Sequence, residues 1–243
     1  MMTNAEPRRV WGKAREATGN RGSDGETMTT STSERSIESI LRLSPVLTVV
    51  TLHDADRAVD VAHALLAGGL RTVEITLRTP AALAAIEAIA RAVPEIRVGA
   101  GTVLSAQDLR SVIQAGASFA ISPGATPELL AAGADAPIPY LPAVATPSEI
   151  MAALAAGYRC LKFFPVSALG GVPMLQALAG PFPQVRFSPS GGITPETAGA
   201  YLALPNVICI GASWITPADA LAQRDWARIE SLARAAAGLA RRE

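Results

Sequence analysis

Short β-type segments alternate with Ala- and Leu-rich helical segments along most of the 243-residue chain, and this alternation restricts the possible folds more than any other feature. Short apolar runs predict buried strands, and apolar residues at helical spacing predict amphipathic helices. Parallel strands require such helical crossovers between them. The predicted strands cover residues 46–51, 72–77, 97–101, 119–121, 138–141, 160–164, 185–187 and 207–211.

A helical segment follows each predicted strand, and five of them begin near a Thr-Pro pair. Thr caps the first amide groups of a helix, and Pro fits the first turn because its missing N–H would be unpaired there. The predicted helices cover residues 55–67, 80–93, 106–115, 127–132, 147–156, 173–179, 195–202 and 218–240.

Eight strand–helix units with short connections fit a closed parallel barrel. We therefore predict an α/β fold, a single (β/α)8 TIM barrel over residues 34–243. A short N-terminal helix at 34–43 is expected to plug the bottom of this barrel. An open, doubly wound sheet is the alternative, but no Gly-x-Gly-x-x-Gly turn follows the first strand.

Residues 1–33 differ from the rest of the chain, because Thr, Ser, Gly, Arg and Glu dominate there and apolar periodicity is missing. Such a segment cannot bury enough apolar surface to offset the entropy lost on ordering, so we predict a disordered tail. Met28, just before the first helix, is an alternative translation start. No apolar segment follows Arg8-Arg9, so neither a secretory nor a twin-arginine signal is complete.

The charge balance argues against two classes of partner. Lys and Arg together number 21, as do Asp and Glu, so the formal net charge is zero. Nucleic acids and anionic membranes attract positively charged proteins, so we expect neither as a partner. No apolar stretch reaches the ~18 residues of a membrane helix. Cys160 and Cys209 lie in apolar runs, and we expect them to be reduced thiols of a cytoplasmic protein.

Polar side chains interrupt the second predicted strand, where a strand covered on both faces should be apolar. Glu74, Thr76 and Arg78 alternate with apolar residues, so a period of two points them into the barrel. Burying a carboxylate and a guanidinium is unfavourable without a partner or a task. Either they form a structural ion pair, or Glu74 is an acid/base and Arg78, at the rim, binds a carboxylate or phosphate.

A lysine interrupts the sixth predicted strand. Lys162 lies on the same strand face as Cys160 and Phe164, among apolar neighbours. Lysine is almost never fully buried without a partner. Burial disfavours the ammonium form, so a buried lysine can present a free amine that attacks a carbonyl. Lys162 is therefore a candidate nucleophile; the alternatives are that it only pairs with Glu74 or extends outward to solvent.

Glycine-rich turns follow three of the predicted strands. Thr102 follows Gly101 after the third strand and offers a hydroxyl at the rim. Gly191 and Gly192 follow the seventh strand, and Ser213 follows the eighth. Backbone without side chains lets a ligand approach closely, and nearby helix N-termini favour anions. The turns after strands seven and eight therefore predict a phosphate site.

The two histidines are too few to build a metal site, and no His, Cys, Asp and Glu residues have ligand spacing, so we expect no metal and no cofactor. His63 lies within a predicted helix and is expected to be a surface or packing residue. His53 follows the first strand and can reach the mouth of the barrel, where it is a candidate for substrate contact. No Gly-x-Ser-x-Gly nucleophile motif occurs.

Five motifs then occur in one order: Val-Glu-Ile-Thr-Leu-Arg-Thr-Pro at 73–80, Val-Gly-Ala-Gly-Thr-Val at 98–103, Ile-Ser-Pro-Gly at 121–124, Lys-Phe-Phe-Pro at 162–165 and Pro-Ser-Gly-Gly-Ile at 189–193. Together they strongly resemble the 2-keto-3-deoxy-6-phosphogluconate (KDPG)/4-hydroxy-2-oxoglutarate (KHG) aldolase family, over about residues 36–240. The resemblance implies a homotrimeric (β/α)8 barrel and a metal-free class I aldolase, a lyase that forms a Schiff base with its substrate.

The same resemblance assigns roles to residues of this chain. Lys162 is implied to be the Schiff-base lysine and Glu74 the general acid/base. Arg78 and Thr102 are implied to bind the substrate carboxylate, with the backbone near Pro123 in the same pocket. The substrate phosphate is implied to lie against Gly191, Gly192 and Ser213.

The implied reaction cleaves KDPG to pyruvate and glyceraldehyde 3-phosphate, a step of the Entner–Doudoroff pathway, and cleavage of KHG to pyruvate and glyoxylate is a second implied activity. The choice among KDPG, its galactonate epimer and KHG stays open. Two alternatives also stay open: a sugar-phosphate isomerase or epimerase barrel that uses Glu74 as base, and a non-catalytic barrel that binds sugar phosphates. Departures from the family pattern, which bear on the phosphate and sugar end, occur at Ala143, Val166, Ser167, Ser190 and Ala212.

Overall fold

The computed structural model of the protein describes residues 36–239. The predicted tail (1–33), with Met28, lies outside the described residues, and so does residue 240, the predicted end of the last helix. Within 36–239, strands and helices alternate as the sequence pattern predicts, and all strand pairs are parallel. The fold is therefore α/β with parallel strands.

Nine strands and ten α-helices occur in this range. The strands are β1 (Val46–Val50), β2 (Thr72–Thr76), β3 (Arg97–Gly101), β4 (Ala120–Ile121), β5 (Tyr140–Leu141), β6 (Ala143–Val144), β7 (Cys160–Phe163), β8 (Arg186–Pro189) and β9 (Ile210–Ala212). The helices are α1 (Ile37–Arg42), α2 (Ala58–Ala67), α3 (Ala82–Ala92), α4 (Ala106–Gln114), α5 (Pro127–Ala134), α6 (Pro147–Ala155), α7 (Gly171–Ala179), α8 (Pro195–Leu202), α9 (Ala218–Gln223) and α10 (Trp226–Ala237). Short 3-10 helices occur at Ala55–Arg57 and Ser167–Leu169.

The strands form two parallel sheets. In the larger sheet the order is β5-β4-β3-β2-β1-β9, so the first strand pairs with the last, and in the smaller sheet β7 lies between β6 and β8. Isolated bridges, Phe187 with Val207 and Ser190 with Gly211, connect the β8 and β9 segments. In a doubly wound sheet the strand order reverses at a switch point, and the larger sheet here shows no such reversal. This sequential order fits a TIM-like barrel instead.

The N-terminal helix α1 packs against the amino ends of the strands. The Ser36 side chain caps it by accepting a hydrogen bond from a backbone N–H three residues later, at 3.1 Å. Ile40 and Leu41 are buried in one cluster with Leu47 of β1 and Cys160, the first residue of β7. The helix thus covers the end of the sheets from which the strands begin, as predicted.

The fifth predicted strand (138–141) is shorter in the structure, where β5 covers only its last two residues and a second short strand, β6, follows it. Pro142 separates β5 from β6, because proline has no N–H for a ladder hydrogen bond. β5 pairs with β4 and β6 pairs with β7, so this segment joins both sheets. The predictions at 185–187 and 207–211 end too early, since β8 and β9 extend to Pro189 and Ala212 through pairing with β7 and β1.

Helix boundaries follow the Thr-Pro rule in part. Three of the five pairs begin helices as predicted, with the N-caps Thr126, Thr146 and Thr194. Thr79 does not, because its hydroxyl donates to the backbone oxygen of Leu52 and α3 begins later. The predicted final helix is two helices, because Arg224 adopts a left-handed conformation (φ 57°) that ends α9 before Asp225 caps α10.

Among the described residues, no helix has both the length and the apolar character needed to cross a membrane.

Candidate functional site

Lys162 and Glu74 form a buried ion pair in the interior of the fold. Lys162 Nζ donates to Glu74 Oε1 at 3.2 Å, and the two residues are 6% and 1% exposed. Glu74 lies in the middle of β2 and Lys162 on β7, so residues 88 positions apart meet. Removing one partner of a buried ion pair typically costs about 3–5 kcal/mol, because the remaining charge is left unpaired.

The strand pleat places both side chains on the inner face. Glu74 and Thr76 are both buried, as the period-two pattern of β2 predicts, whereas Arg78 follows the strand and is exposed at the rim. Thr76 Oγ1 lies 2.8 Å from Thr51 Oγ1, so the layer above Glu74 is also hydrogen-bonded. Lys162 pairs in register with a small residue on the neighbouring strand, Ser188 of β8. The sheet thereby leaves space around the amine.

Gly101 on β3 makes room for the Glu74 carboxylate. A Cβ atom at position 101 would lie 1.9 Å from Glu74 Oε1, closer than any real Cβ contact. The carboxylate therefore lies directly over the backbone of β3. Glu74 Oε2 is buried and accepts no hydrogen bond from the described residues, which leaves this oxygen available to exchange a proton.

A cavity of about 650 Å³ opens at the carboxyl ends of the strands, with Lys162 in its wall. The ligand sites of parallel α/β proteins lie at this end of the strands, because the following loops converge there. Glu74 is not part of the lining, so it lies behind the lysine as seen from the cavity. The polar and charged residues of the lining are Thr51, His53, Asp54, Arg57, Arg78, Lys162, Ser190, Ser213 and Thr216.

Arg78 and Thr102 lie together at one side of the cavity. Arg78 lines the cavity, and its Nε donates to Thr102 Oγ1 at 3.1 Å. Thr102 itself is not part of the lining and has a positive φ of 60°, which is unusual for a residue with a side chain. The hydroxyl thus orients the guanidinium, whose remaining N–H groups can bind a planar anion in a bidentate manner.

Gly191, Gly192 and Ser213 all line the cavity. The two glycines have φ values of 95° and 82°, a conformation that residues with side chains rarely adopt. The segment after β7 supports this turn, since Ser167 N–H donates to Gly191 O at 3.1 Å. A Cβ at position 192 would lie 2.6 Å from Ser167 Oγ, so the turn is closely packed and its backbone borders the cavity.

Pro123, like Glu74 and Thr102, is a predicted site residue that does not line the cavity, and unlike those two it makes no hydrogen bond to a lining residue within the described part of the chain. It lies after β4, next to Ser122, whose hydroxyl is 2.5 Å from that of Tyr140. Sequence reasoning missed Thr51, which follows β1 directly and whose position at the carboxyl end of a strand was the available signal. It also missed the contribution of α9, whose residues Ala218 and Leu221 line the cavity and carry no chemical signal in the sequence.

Two other buried groups, the Cys160 thiol and the Tyr140 hydroxyl, are neutral near neutral pH. Burial raises the pKa of the Cys160 thiol to about 11, and the nearby Glu38 carboxylate acts in the same direction. Burial also raises the pKa of the Tyr140 hydroxyl above its usual value, although the hydrogen bond with Ser122 opposes the shift. Cys160 therefore lacks the thiolate that a nucleophilic cysteine requires.

Fold and site together define an α/β protein with a TIM-like strand order and a buried lysine–carboxylate pair at its cavity. The chain matches the family model for KDPG and KHG aldolase over residues 37–232. It is 54% identical over 201 residues to the KHG/KDPG aldolase of Escherichia coli (strain K12), which covers 83% of this chain and 94% of that protein. The chain belongs to the KDPG and KHG aldolase family.

Solved structures give the same relationship. KDPG aldolase from Legionella pneumophila, with pyruvate captured at low pH as a covalent carbinolamine intermediate, superimposes with a TM-score of 0.82 at 45% identity, covering 83% of this chain and 98% of that one. The KDPG aldolase of Zymomonas mobilis ZM4 with 3-phosphoglycerate gives a TM-score of 0.81 at 43% identity, covering 84% and 96%. Both likenesses extend over nearly the whole of the described residues.

The packing of Gly101 against Glu74 gives a testable expectation. Gly101→Ala should lower the free energy of unfolding by about 1–3 kcal/mol, because the added methyl group overpacks the interior and displaces the carboxylate from Lys162. Chemical denaturation measures this change. Gly180→Ala is the matched control, since a Cβ at position 180 meets no atom within 4 Å. Equal midpoints for Gly101→Ala and the wild type would contradict the packing argument.

Proposed function

We propose that this protein is a class I aldolase that cleaves KDPG to pyruvate and glyceraldehyde 3-phosphate through a Schiff base on Lys162. The observation that carries the proposal is the Lys162 amine, 6% exposed, which lines the cavity and lies 3.2 Å from Glu74. Family membership supports the activity, and so does the covalent pyruvate intermediate captured in the Legionella relative.

The fold that we propose is a single eight-stranded (β/α)8 barrel over residues 34–243, preceded by a tail at 1–33. In this reading β5 and β6 are one strand divided at Pro142. The pairing of β1 with β9 supports closure on one side. The bridges of Phe187 with Val207 and of Ser190 with Gly211 support it between β8 and β9.

In the first stage the neutral amine of Lys162 attacks the C2 ketone of the substrate. Glu74, hydrogen-bonded to Nζ, first accepts a proton from the Lys162 ammonium to free this amine, and returns it to the ketone oxygen as the C–N bond forms. Glu74 then takes a second proton from the nitrogen and gives it to the departing hydroxyl. The carbinolamine thereby loses water and becomes a protonated imine, and Glu74 is again a carboxylate. This imine is the electron sink for the next stage, because its positive nitrogen accepts the electron pair of the bond that breaks.

In the second stage Glu74 removes the proton of the C4 hydroxyl, by way of a water molecule. The C3–C4 bond then breaks, its electron pair moves into the imine, and glyceraldehyde 3-phosphate leaves as the aldehyde. Glu74 next protonates C3 of the enamine, and water hydrolyses the imine to release pyruvate. A positioned acid/base of this kind contributes about 10²–10⁴-fold to the rate.

Arg78 binds the carboxylate of the pyruvyl half in this proposal. Its position in the cavity lining and its hydrogen bond to Thr102 support that role, because the guanidinium is oriented before the substrate arrives. Thr102 acts in the same carboxylate site. The backbone near Pro123 is proposed to border the pyruvyl group from the β4 side, on the strength of the sequence motif.

The phosphate of the substrate binds to Gly191, Gly192 and Ser213. Their common place in the cavity lining supports this role, as do the side-chain-free backbone of the turn and the N-terminus of α8 after it. The Escherichia coli relative is named for both KHG and KDPG. We include KHG as a second, poorer substrate, since it lacks the phosphate group.

We also propose a homotrimer in the cytoplasm, with no nucleic-acid or membrane partner and no cofactor. A designed cage built by fusing symmetric oligomeric domains shares the fold at 25% identity and a TM-score of 0.66, which supports an oligomer. Cys160 and Cys209 are both buried thiols that are not joined in a disulfide, which fits a reducing compartment. Light scattering should give three times the 25.1 kDa chain mass, and a monomer mass would contradict the trimer.

Reductive trapping tests the central claim. Incubation with pyruvate and borohydride should attach one reduced pyruvyl group to the peptide that contains Lys162, as measured by mass spectrometry. The chain offers a simple control, because Lys13 is its other lysine. Lys13→Arg should keep the adduct and Lys162→Met should lose it.

The same experiment separates the alternatives. An isomerase or epimerase that uses Glu74, or a barrel that only binds sugar phosphates, forms no adduct. Glu74→Gln should still form the imine, but it should exchange the methyl protons of pyruvate far more slowly, because the carboxylate is gone. Labelling of Lys13 instead of Lys162 would refute the assignment.

Substrate preference tests the phosphate site. A phosphate that contributes ~2.8 kcal/mol in the transition state should raise kcat/KM for KDPG about 100-fold above that for KHG. Ser213→Ala should remove part of this preference, because the backbone donors of the turn remain. Ser231→Ala, on the exposed surface of α10, is the matched control. Equal kcat/KM values for the two substrates in the wild type would mean that the turn is not a phosphate site.

A further inference from the structure

One side of the cavity is formed by the loop between β1 and α2, to which the proposed mechanism gives no role. His53 in this loop is exposed and lines the same cavity as Lys162, Gly192 and Ser213. The chain contains two histidines, and the other, His63, lies on the exposed face of α2 and is not part of the lining. His53 is therefore the histidine that a bound substrate can meet.

Strand register places this loop beside the proposed phosphate site. Thr48 of β1 pairs with Ala212 of β9, and Ser213 is the next residue after Ala212. Parallel strands advance together, so the chain that continues from β1 runs alongside the chain that continues from Ser213. His53 lies five positions after Thr48 and thus above the level of Ser213, toward the opening of the cavity.

The charged groups of the lining are engaged elsewhere. Arg57 donates to Asp54 at 3.1 Å and to the backbone oxygen of Leu221 at 2.7 Å. Arg78 is bound to Thr102, and Lys162 to Glu74. Within residues 36–239, His53 is the ionisable side chain of the lining that makes no hydrogen bond or ion pair. α9 and the turn at 191–192 contribute no ionisable group to the lining.

A phosphate monoester at Ser213 carries close to two negative charges near neutral pH. Backbone N–H groups and one hydroxyl do not neutralise this charge. Arg57 is paired with Asp54, and Arg78 is assigned to the carboxylate at the other end of the substrate. An imidazole beside such an anion can donate a hydrogen bond to it. The charged groups of the lining nearest to His53 in the chain are Asp54 and Arg57, which pair with each other.

We propose that His53 is a specificity-determining residue for the phosphorylated end of the substrate, where its imidazole donates a hydrogen bond to the phosphate bound at Ser213 and Gly192. This assignment rests on the proposed aldolase function and extends its phosphate site to the β1 loop. The residue selects between phosphorylated and unphosphorylated substrates and takes no part in the bond-breaking steps.

The test measures phosphate selectivity with stable probes. Calorimetry gives the dissociation constants of 3-phosphoglycerate, which the Zymomonas relative binds in its crystal structure, and of D-glycerate, which lacks the phosphate. In His53→Gln the ratio of the two constants should fall about tenfold at about pH 6, the change expected for one charge-assisted hydrogen bond. His63→Gln, which alters the exposed histidine of α2, should keep the wild-type ratio.

Measurements at a second pH distinguish the loss of the imidazole from a general loss of structure in the variant. The difference between wild type and His53→Gln should shrink at about pH 8, where a histidine is largely neutral. His53→Lys should keep the selectivity at both pH values, because an ammonium group stays charged. A variant that merely damaged the loop would lose binding of both probes and leave their ratio unchanged, and that result would overturn the proposal.

The outcomes also separate this proposal from the function on which it rests. If the wild type forms the pyruvate adduct on Lys162 and His53→Gln keeps the full selectivity, the role of His53 is wrong and the aldolase assignment stands. If the wild type forms no adduct, both are wrong. If the wild type forms the adduct, His53→Gln loses the selectivity and His53→Lys keeps it, the result supports both the role of His53 and the aldolase assignment.

Discussion

The ion pair of Lys162 and Glu74 is the interaction on which the rest of the site depends. Each charge is buried, and each is tolerated because the other lies 3.2 Å away. The pair joins β2 of the larger sheet to β7 of the smaller one, so both sheets must assemble before it forms. Gly101 permits it, since any side chain there would occupy the place of the carboxylate. Formation of the ion pair and correct assembly of the two sheets are therefore linked.

The two ends of the cavity differ in how they are built. Around Lys162 the walls are strands, whose hydrogen bonds hold side chains within narrow limits, and reactions that need fixed geometry benefit from this rigidity. The opposite end consists of turns and loops, namely the glycines at 191–192, Ser213 and the segment after β1. Loops change between relatives more readily than strands do. Substrate preference is thus expected to depend on the loop end, where His53 and Ser167 lie.

Much of the fold and of the site was predictable from local patterns. Residue spacing acts within a few positions of the chain. It predicted the alternation of strands and helices, three Thr-Pro helix starts and the inward direction of Glu74 and Thr76. Three features did not follow from these patterns: the pairing register, the second short strand after Pro142 and the break at Arg224. Partners distant in sequence, or a single backbone conformation, decide them. Thr51 and α9 were missed as parts of the cavity for the same reason.

The sequence by itself determined which chemistry the protein carries: a lysine and a glutamate on strands that should be apolar, an arginine at the rim and glycine turns suited to an anion. Those choices are encoded in residue type and period. Only the tertiary structure decided that Lys162 and Glu74 meet, that Arg78 is oriented by Thr102, and that His53 lies at the cavity with no hydrogen-bond partner among residues 36–239. Such contacts join segments up to 88 residues apart, and the distance between them depends on how the strands pair.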